Sequence, residues 1–352
     1  MGKKDLNRPV RKKKTVFVLI SLAITILLLG LLYSRIDMRD FLDTLAHIHL
    51  PFLFLFMLIS LANTFLRSWR YRWLLQPQKI GVGAVFLVTL IRNVFVDLLP
   101  ARIGSLSYIY ILNKRFNFSF ESAASSLLVS IFFDFLTLSP FLILAAVVVG
   151  SGGSAVSLSL LIAIAVLFFG LVFVLYTRLR PLLLFVIKIV QSILKVFRLQ
   201  DKPWARLIDE KGRLTIKELE GTKQRGIFWP LFIVSFLIRS AKYGALYFLL
   251  AALLKSHGYV LRQISFWKTV LGVNGAELTS VLPIKGIGGF GTWESAWALS
   301  FQLMDFDSRL AVITGIGVHL ITNLFEYILG IAAILVLVAP LLLKKKVKGK
   351  ME

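Results

Sequence analysis

The sequence LPIKGIGG at residues 282–289 interrupts an apolar region that extends from residue 264 to residue 303. A shorter counterpart, LPARIG at residues 99–104, interrupts a second apolar region at 82–112. Proline removes a backbone N–H donor and glycine loosens a helix, so each region is predicted to form two half-helices that meet at a break. In a membrane such a break persists only where protein or a cavity surrounds it, and each region then forms a broken re-entrant pair.

Six further apolar stretches flank these two regions, and each is long enough to cross a bilayer. Hydrophobic residues make up 57% of the 352 residues, whereas about half is usual in a soluble domain. A spanning helix needs about 20 apolar residues, and the stretches that qualify are 16–33, 50–68, 121–148, 156–176, 229–253 and 308–340. The sequence therefore predicts an all-α polytopic membrane protein with six spanning helices and two broken re-entrant helix pairs, about eight hydrophobic segments in all.

The cationic residues predict the orientation of the chain. Its formal net charge is +23, and the lysines and arginines cluster at the ends of the apolar stretches, which suits anionic lipid headgroups better than nucleic acid. Cytoplasmic loops carry the excess of cations, so the chain is predicted to lie in the cell membrane with both termini in the cytoplasm. By the same reasoning Arg67 and Arg70 are predicted to be cytoplasmic anchors. The segments predicted inside are Lys3–Lys14, Arg67–Arg72, Lys114–Arg115, Arg178–Arg225 and Lys344–Lys350.

A short internal repeat predicts how the membrane domain is organised. The matches occur in the same order: 66–71 with 238–243, 99–102 with 282–285, and 133–135 with 325–327. The predicted topology inverts one half relative to the other, as in many secondary transporters, while an ordinary kinked helix bundle is the alternative. The predicted organisation is a single membrane domain at 1–352, with repeat halves at 50–150 and 229–343. The connecting segment 151–228 is predicted to contain a helix, an interfacial helix at 181–198 and a small cytoplasmic loop at 200–225.

Cations beside the two breaks are the principal predicted headgroup-binding residues. Arg102 and Lys285 follow the prolines at equivalent places, and the break is expected to leave the backbone N–H groups of nearby glycines free for an anion. Snorkelling of either cation to a leaflet surface is the alternative. The set predicted to bind a headgroup is Arg92, Arg102, Lys285, Gly286, Gly288, Gly289, Arg239 and Lys242, and the predicted helix breaks are Pro100, Gly104 and Pro283.

Two amide–carboxylate pairs precede the breaks. Asn93 and Asp97 are four residues apart and Asn274 and Glu277 are three apart, so each pair shares one face of a helix. The two acids are predicted to hold Arg102 and Lys285 when no ligand is bound. The predicted polar groove is completed by Asn93, Asn274, Glu294 and Asn323.

Asp134 and Glu326 occupy equivalent positions inside spanning stretches of the two halves. Carboxylates in a membrane are costly, so they need a basic partner or must be neutral. They are predicted to balance the charge of Arg92, Arg102 or Lys285, or to carry a proton that drives transport. Structural ion pairing that fixes helix packing is the alternative for both acids.

The sequence argues against several other chemistries. Cysteine is absent, and His47 and His49 have no acidic cluster or third histidine nearby, so no metal site and no cofactor are predicted. The sequence GIGGFG at 286–291 fits a dinucleotide-binding pattern, but no strand and crossover helix surround it. His319 is predicted to be a hydrogen-bonded packing residue.

The motifs together resemble the membrane region of the lysylphosphatidylglycerol synthetase family, which is also met as stand-alone flippase-like proteins. The resemblance rests on RN at 92–93 through LPARIG at 99–104, on FD at 133–134 and on LPIKGIGGFGTWE at 282–294. It implies a lipid-flippase-like fold with two inverted re-entrant pairs. Complete synthetases of this family carry a soluble aminoacyltransferase domain after the membrane region, whereas this sequence stops at Glu352, so the chain is not expected to be an enzyme.

Residues and resemblance together predict flippase-like translocation of a phosphate-bearing lipid or lipid-linked precursor by alternating access. The predicted partners are anionic or phosphate-bearing membrane lipids and a separate lipid-modifying enzyme, and nucleic acid is not expected. The alternative is an accessory membrane protein that scaffolds a lipid-modifying or glycosyl-transferring enzyme. A third hypothesis, an intramembrane lipid enzyme, would draw on Glu294 and His319.

Overall fold

The computed structural model describes residues 8–150, 167, 170, 171, 174, 178–282 and 286–348. Within those ranges every regular element is a helix and no strand occurs. The α-helices are α1 (Arg8–Tyr33), α2 (Met38–Ala46), α3 (Leu50–Leu74), α4 (Val82–Leu98), α5 (Leu106–Phe116), α6 (Phe120–Gly150), α7 (Leu179–Val196), α8 (Pro203–Gln224), α9 (Phe228–Leu254), α10 (Phe266–Leu278), α11 (Thr292–Gln302) and α12 (Ser308–Lys348).

Four helices in the described part of the chain are long and apolar enough to cross a membrane. They are Leu50–Leu74, Phe120–Val149, Phe228–His257 and Ser308–Leu337, which correspond to four of the predicted spanning stretches. The predicted first stretch qualifies only as the pair Ser21–Tyr33 and Met38–Ala46, which is bent by 87° and brings the number of candidates to five. Most of the predicted stretch 156–176 lies outside the described residues.

Both predicted breaks are present as interruptions between helices. In the first region α4 ends at Leu98, a 3₁₀ turn occupies Pro100–Ser105, and α5 begins at Leu106. In the second region α10 ends at Leu278, and 3₁₀ turns at Thr279–Val281 and Ile287–Gly289 precede α11. Pro283 and Lys285 lie outside the described residues, so the structure does not describe the second predicted proline break itself.

The segment 200–225, predicted to be a loop, is mostly helical, and this prediction was wrong. Residues Pro203–Gln224 form α8, whose buried face includes Ala205, Ile216 and Leu219 while its charged face is exposed. An amphipathic stripe is enough to stabilise a helix against a neighbour, even when the mean composition is polar. Lys211 of α8 binds Glu121 of α6 at 2.5 Å, and this hydrogen bond raises the pKa of the lysine.

The predicted interfacial segment forms α7, which packs on α8 by one face. Gln191 donates a hydrogen bond to Asp209 at 2.6 Å, and Gly212 leaves room for Ile187 at this contact. Large apolar side chains on the rest of the helix are exposed, including Phe185, Ile189 and Ile193. A helix with such a face is typical of segments that lie in a membrane interface, and the interfacial position stays a prediction.

The chain divides into two compact units that are not contiguous in sequence. Unit 1 comprises the described residues of Met1–Ser60, Leu90–Leu106 and Tyr243–Glu352, and unit 2 those of Leu61–Thr89 and Ser107–Lys242. In unit 1, α11 packs on both α10 and α12, with Trp297 and Phe301 buried at its centre. Unit 2 has an apolar core of Leu74, Val129, Phe133, Leu136, Leu219 and Leu231. The single-domain and repeat-half boundaries stay predictions.

Candidate functional site

In unit 1 the first helix break lies against the turn that follows α10. The 3₁₀ turn at Pro100–Ser105 packs on the turn at Thr279–Val281, and Arg102 Nε donates a hydrogen bond to Ser280 Oγ at 3.2 Å. Arg102 is exposed and has a left-handed backbone with φ of 55°, a conformation that costs energy for a residue with a side chain. The predicted break residues of the first region and the turn that follows α10 therefore meet at one place.

Gly104 allows the first break to fold back on α4. A Cβ atom at this position would lie 1.8 Å from the carbonyl oxygen of Phe95, so only glycine fits. The contact is with backbone, which a change of rotamer cannot relieve. This close approach is a second reason, beside Pro100, for the break at this point of the sequence.

The glycine-rich loop after α10 is held by α1. Its residues Gly288, Gly289 and Gly291 have φ of 62°, 83° and 86°, values that glycine adopts without steric cost. The Ile287 N–H donates to Thr25 Oγ1 of α1 at 2.8 Å. A Cβ on Gly286 would lie 1.8 Å from the Phe290 carbonyl oxygen, which explains the fourth glycine.

Several N–H groups of this loop are already used within the protein. The Gly289 N–H donates to the Gly286 carbonyl at 2.9 Å, and the Gly291 N–H donates to Glu294 Oε2 at 2.8 Å. The expectation of a free N–H at Gly289 is therefore wrong. Gly286, Gly288 and Gly289 are also buried, so the loop acts first as a rigid structural element.

A buried carboxylate–imidazole pair lies directly behind the loop. Glu294 is fully buried, and its Oε1 lies 2.7 Å from Nδ1 of His319 on α12. The histidine ring stacks on Trp293 at 4.8 Å between centroids and also contacts Phe290 at 4.7 Å. Through Oε2 the same glutamate caps the start of α11, where a negative charge is favoured by the helix dipole. This Glu294–His319 pair therefore connects α11, α12 and the loop.

Sequence reasoning assigned these two residues to different roles. Glu294 was predicted to line a polar groove, and His319 was predicted to be a hydrogen-bonded packing residue, which the structure confirms. The pairing was missed because 25 residues separate them. The capping role had a signal in the sequence, since Glu294 follows Gly291 by three residues, the spacing of a capping box.

Unit 1 also contains buried polar atoms that have no hydrogen-bond partner among the described residues. They include Arg92 Nε on α4 and, on α12, Asn323 Nδ2 and the Tyr327 hydroxyl. Tyr327 is close enough to Asp97 and Glu326 for their charges to act on it, and its hydroxyl lies 3.6 Å from where a Cβ on Gly288 would be. Buried polar groups are nearly always paired, so unpaired ones mark places where water or a ligand is expected.

In unit 2 the structure places a buried ion pair that the sequence analysis did not predict. Arg70 is fully buried, and its Nη1 donates to Asp134 Oδ1 at 2.7 Å and to Ser235 Oγ at 2.8 Å. Arg239 Nη2 donates to the backbone carbonyl of Asp134 at 2.5 Å. The prediction that Arg70 is a cytoplasmic anchor was wrong. Asp134 does balance an arginine, but its partner among the described residues is Arg70, and neither Arg92 nor Arg102 binds it there.

The remaining predicted site residues have varied surroundings. Asn274 hydrogen-bonds with the Tyr243 hydroxyl, and Asn93 accepts a long hydrogen bond from Arg92 at 3.4 Å. The half-buried residues are Asp97, Glu277, Glu326 and Lys242. Lys285 lies outside the described residues. The described part of the chain contains no group of three or more histidine and acidic side chains arranged to hold a metal ion. The headgroup-binding and proton-coupling roles stay predictions.

Comparison with known proteins gives one match. The family model described as the lysylphosphatidylglycerol synthase TM region matches residues 18–330, which is most of the chain. No curated protein and no solved structure matches the chain. The family match covers both breaks, the glycine-rich loop and both buried pairs.

Proposed function

Since the chain belongs to the family of the lysylphosphatidylglycerol synthase membrane region, we propose that it translocates a phosphate-bearing lipid or lipid-linked precursor across the membrane. The family connects the chain to lipid modification, and the many apolar helices make it a membrane protein. Cargo in this proposal moves by alternating access, with its headgroup in protein and its acyl chains in lipid. The proposed location is the cell membrane, with both termini in the cytoplasm.

The observation that carries the proposal is the contact in unit 1 between the first helix break and the turn at Thr279–Val281. Irregular backbone at membrane depth is tolerated only where it is buried in protein or lines a polar cavity. Here Arg102 lies exposed at the junction, and its side chain makes one long hydrogen bond among the described residues, to Ser280. An exposed guanidinium at such a junction suits a phosphate, which it can bind through two parallel hydrogen bonds.

The unpaired polar atoms of unit 1 support the same proposal. Arg92 Nε, Asn323 Nδ2 and the Tyr327 hydroxyl are donors in a largely apolar interior, and a headgroup or its water shell would supply their acceptors. Asp97 and Glu277, at the ends of α4 and α10, are the proposed counter-charges when the cargo is absent. The proposal thus has cations that bind the phosphate and acids that release it.

Reconstitution tests this function directly. Purified protein in liposomes is given a headgroup-labelled phospholipid, and protection of the label from a membrane-impermeant quencher reports its movement. We expect Arg102→Gln to abolish movement, and Arg262→Gln, a change at another exposed arginine of unit 1, to leave it intact. Wild-type movement in the Arg102 variant would remove the assigned role. Failure of the unaltered protein with every phospholipid tested would overturn the function.

The family description also supports a second candidate, a scaffold for a separate lipid-modifying enzyme. The family is described as the membrane region of a synthase, so its role in other members concerns lipid modification. In that case the purified protein would move no lipid but would co-purify stably with such an enzyme. Co-purification without transport would favour the scaffold over the translocase.

A further inference from the structure

Helix α7 has a broad apolar face that is exposed in the described part of the chain. Phe185, Ile189 and Ile193 keep 61%, 43% and 51% of their surface exposed. Further exposed apolar side chains of this helix and its C-cap are Leu182, Val186, Val190, Val196 and Phe197. Large contiguous apolar patches are rare on protein surfaces in contact with water, so this face marks an interaction surface.

The opposite side of α7 is held by other elements of unit 2. Gln191 donates a hydrogen bond to Asp209 of α8 at 2.6 Å. The two helices are also close at Gly212 of α8, where a Cβ would lie 3.0 Å from Ile187. Leu183 packs against the apolar core of unit 2. Because Leu183, Ile187 and Gln191 are spaced four residues apart, they share one side of the helix. The packing of unit 2 therefore fixes the direction in which the apolar face is exposed.

The ends of two candidate membrane spans indicate the level of α7 in the membrane. The span Leu50–Leu74 ends, and the span Phe228–His257 begins, at the apolar core of unit 2. Leu183 of α7 packs against the same core cluster, which contains Leu74 and is also contacted by Phe228. A span ends where hydrocarbon gives way to headgroups, so an element packed at these span ends lies beside the headgroups.

Helix α8 joins this place to a third span. Its Lys211 binds Glu121, the second residue of α6, at 2.5 Å. Directly after α8, Arg225 donates hydrogen bonds to the carbonyls of Trp73 and Leu74 at the end of α3, at 3.1 and 3.2 Å. Because α7 packs on α8, these contacts tie α7 to the end of α3 and the start of α6.

The charge of α7 complements an anionic membrane surface. The helix contains no acidic residue. Lys188 and Lys195 are exposed, and neither forms an ion pair with another described residue. They are seven residues apart, so they lie on one side of the helix, next to the apolar face. When an amphipathic helix inserts its apolar face into a leaflet, lysines in this position reach the headgroups.

We infer that α7 docks unit 2 onto an anionic lipid surface. Its apolar face lies at the boundary between headgroups and acyl chains, and Lys188 and Lys195 lie among the headgroups. The leaflet is the one in which the span of α3 ends and the spans of α6 and α9 begin. This contact is peripheral and is made with many lipids at once, so it requires neither a bound cargo nor translocation.

Spin labelling of the full-length protein tests the docking directly. The sequence contains no cysteine, so a single introduced cysteine gives a single labelled position. Ile189→Cys labels the apolar face of α7, and Lys217→Cys, at an exposed position of α8, is the matched control. The protein is reconstituted in liposomes that contain phosphatidylglycerol, and power-saturation EPR measures collisions of each label with oxygen and with a water-soluble nickel chelate. Oxygen concentrates in lipid, whereas the chelate stays in water.

We expect the Ile189→Cys label to collide mainly with oxygen and the Lys217→Cys label to collide mainly with the nickel chelate. Equal access of the chelate to both labels would overturn the inference, because the apolar face would then be in water. Shielding of the Ile189→Cys label from both reagents would also overturn it, since another protein segment or a second copy would then occupy the face.

The two lysines are tested in the same assay with the Ile189→Cys label. Compared with liposomes of phosphatidylcholine alone, phosphatidylglycerol should increase the ratio of oxygen to chelate collisions. Lys188→Gln combined with Lys195→Gln should abolish this increase, whereas Lys217→Gln, which removes an exposed lysine of α8, should keep it. An equal ratio in the two kinds of liposome would overturn the assignment to an anionic surface. None of these readouts depends on lipid movement, so failure of the docking and failure of the translocase are separate outcomes.

Discussion

The two units each contain a buried pair of a basic and an acidic side chain, and the pairs have the same nitrogen–oxygen distance but different basic groups. Arg70–Asp134 in unit 2 and Glu294–His319 in unit 1 each bring nitrogen and oxygen to 2.7 Å. Arginine stays protonated, so Arg70 can exchange Asp134 for another anion but cannot release a proton. The second pair joins a carboxylate to an imidazole, and its hydrogen bond connects α11 to α12.

The surroundings of each pair fit that difference. Both oxygens of Glu294 are occupied, and His319 lies against two aromatic rings, so the pair in unit 1 positions a loop. The pair in unit 2 retains unused donors on Arg70 and two more arginines nearby. A buried arginine with unused donors can bind a further acceptor, whereas a carboxylate with both oxygens occupied points to a structural role.

Removing the acid of unit 2 should give the largest effect. Asp134→Ala removes the carboxylate that the buried Arg70 binds, and breaking a buried pair in this way costs about 3–5 kcal/mol of unfolding free energy. Chemical denaturation in detergent measures the loss. A loss no larger than that of a single neutral hydrogen bond would contradict the ion-pair assignment.

Neutralising the acid of unit 1 should cost less. Glu294→Gln keeps an acceptor for the Gly291 N–H but removes the charge-assisted bond to His319, a loss of about 1–3 kcal/mol. Asp43→Asn is the matched control, because Asp43 forms the same kind of pair with His47 on an exposed helix face. That change should cost no more than about 0.5 kcal/mol. Equal losses of unfolding free energy in the two variants would show that burial of Glu294 does not strengthen its bond to His319.

A pair of glycine substitutions compares the backbone of the two units. Gly291 in unit 1 and Gly226 in unit 2 have φ of 86° and 65°, so alanine at either position costs about 1–2 kcal/mol. A Cβ on Gly291 would also lie 2.8 Å from the Cβ of Leu28, whereas nothing lies within 4 Å at Gly226. Gly291→Ala should therefore unfold at a lower denaturant concentration than Gly226→Ala. The reverse order would mean that the loop has room to move away from α1.

The smallest effect is expected at Ser235. Ser235→Ala removes one acceptor from Arg70 Nη1 but leaves Asp134 in place, a loss of about 1 kcal/mol. Chemical denaturation in detergent measures this change. A loss as large as that of Asp134→Ala would mean that Ser235 contributes more to holding Arg70 than one neutral hydrogen bond can.

The helical framework was largely predictable because apolar length and proline are strong local signals. Four spanning stretches and both interrupted regions appear where the sequence placed them. The prediction of a loop at 200–225 was wrong because the segment is polar on average, although its apolar residues lie on one face of a helix. The buried residues of α8 include Ala205, Ile216 and Leu219, which lie on one face of the helix.

The chemistry of the site was less predictable because its partners are distant in sequence. Arg70 lies close to the end of α3, a position where most arginines reach solvent, and its partner is 64 residues away. The repeat equates Asp134 with Glu326, yet no ion pair of Glu326 is found among the described residues. The local sequence shows that a charged residue lies in a helix, whereas only the folded structure shows which residue it contacts.

The hydrogen bond from Ile287 to Thr25 has a consequence for biosynthesis. It joins residues 262 positions apart, so the first helix must wait in the membrane until the loop has been made. At about 5–20 residues per second, that wait is on the order of tens of seconds. Unit 2 contains no residue beyond Lys242 and can be complete before then. A ribosome that stalls late would therefore release a chain in which unit 2 is folded but the first helix lacks its contact with the loop. Such a chain is a target for membrane quality control.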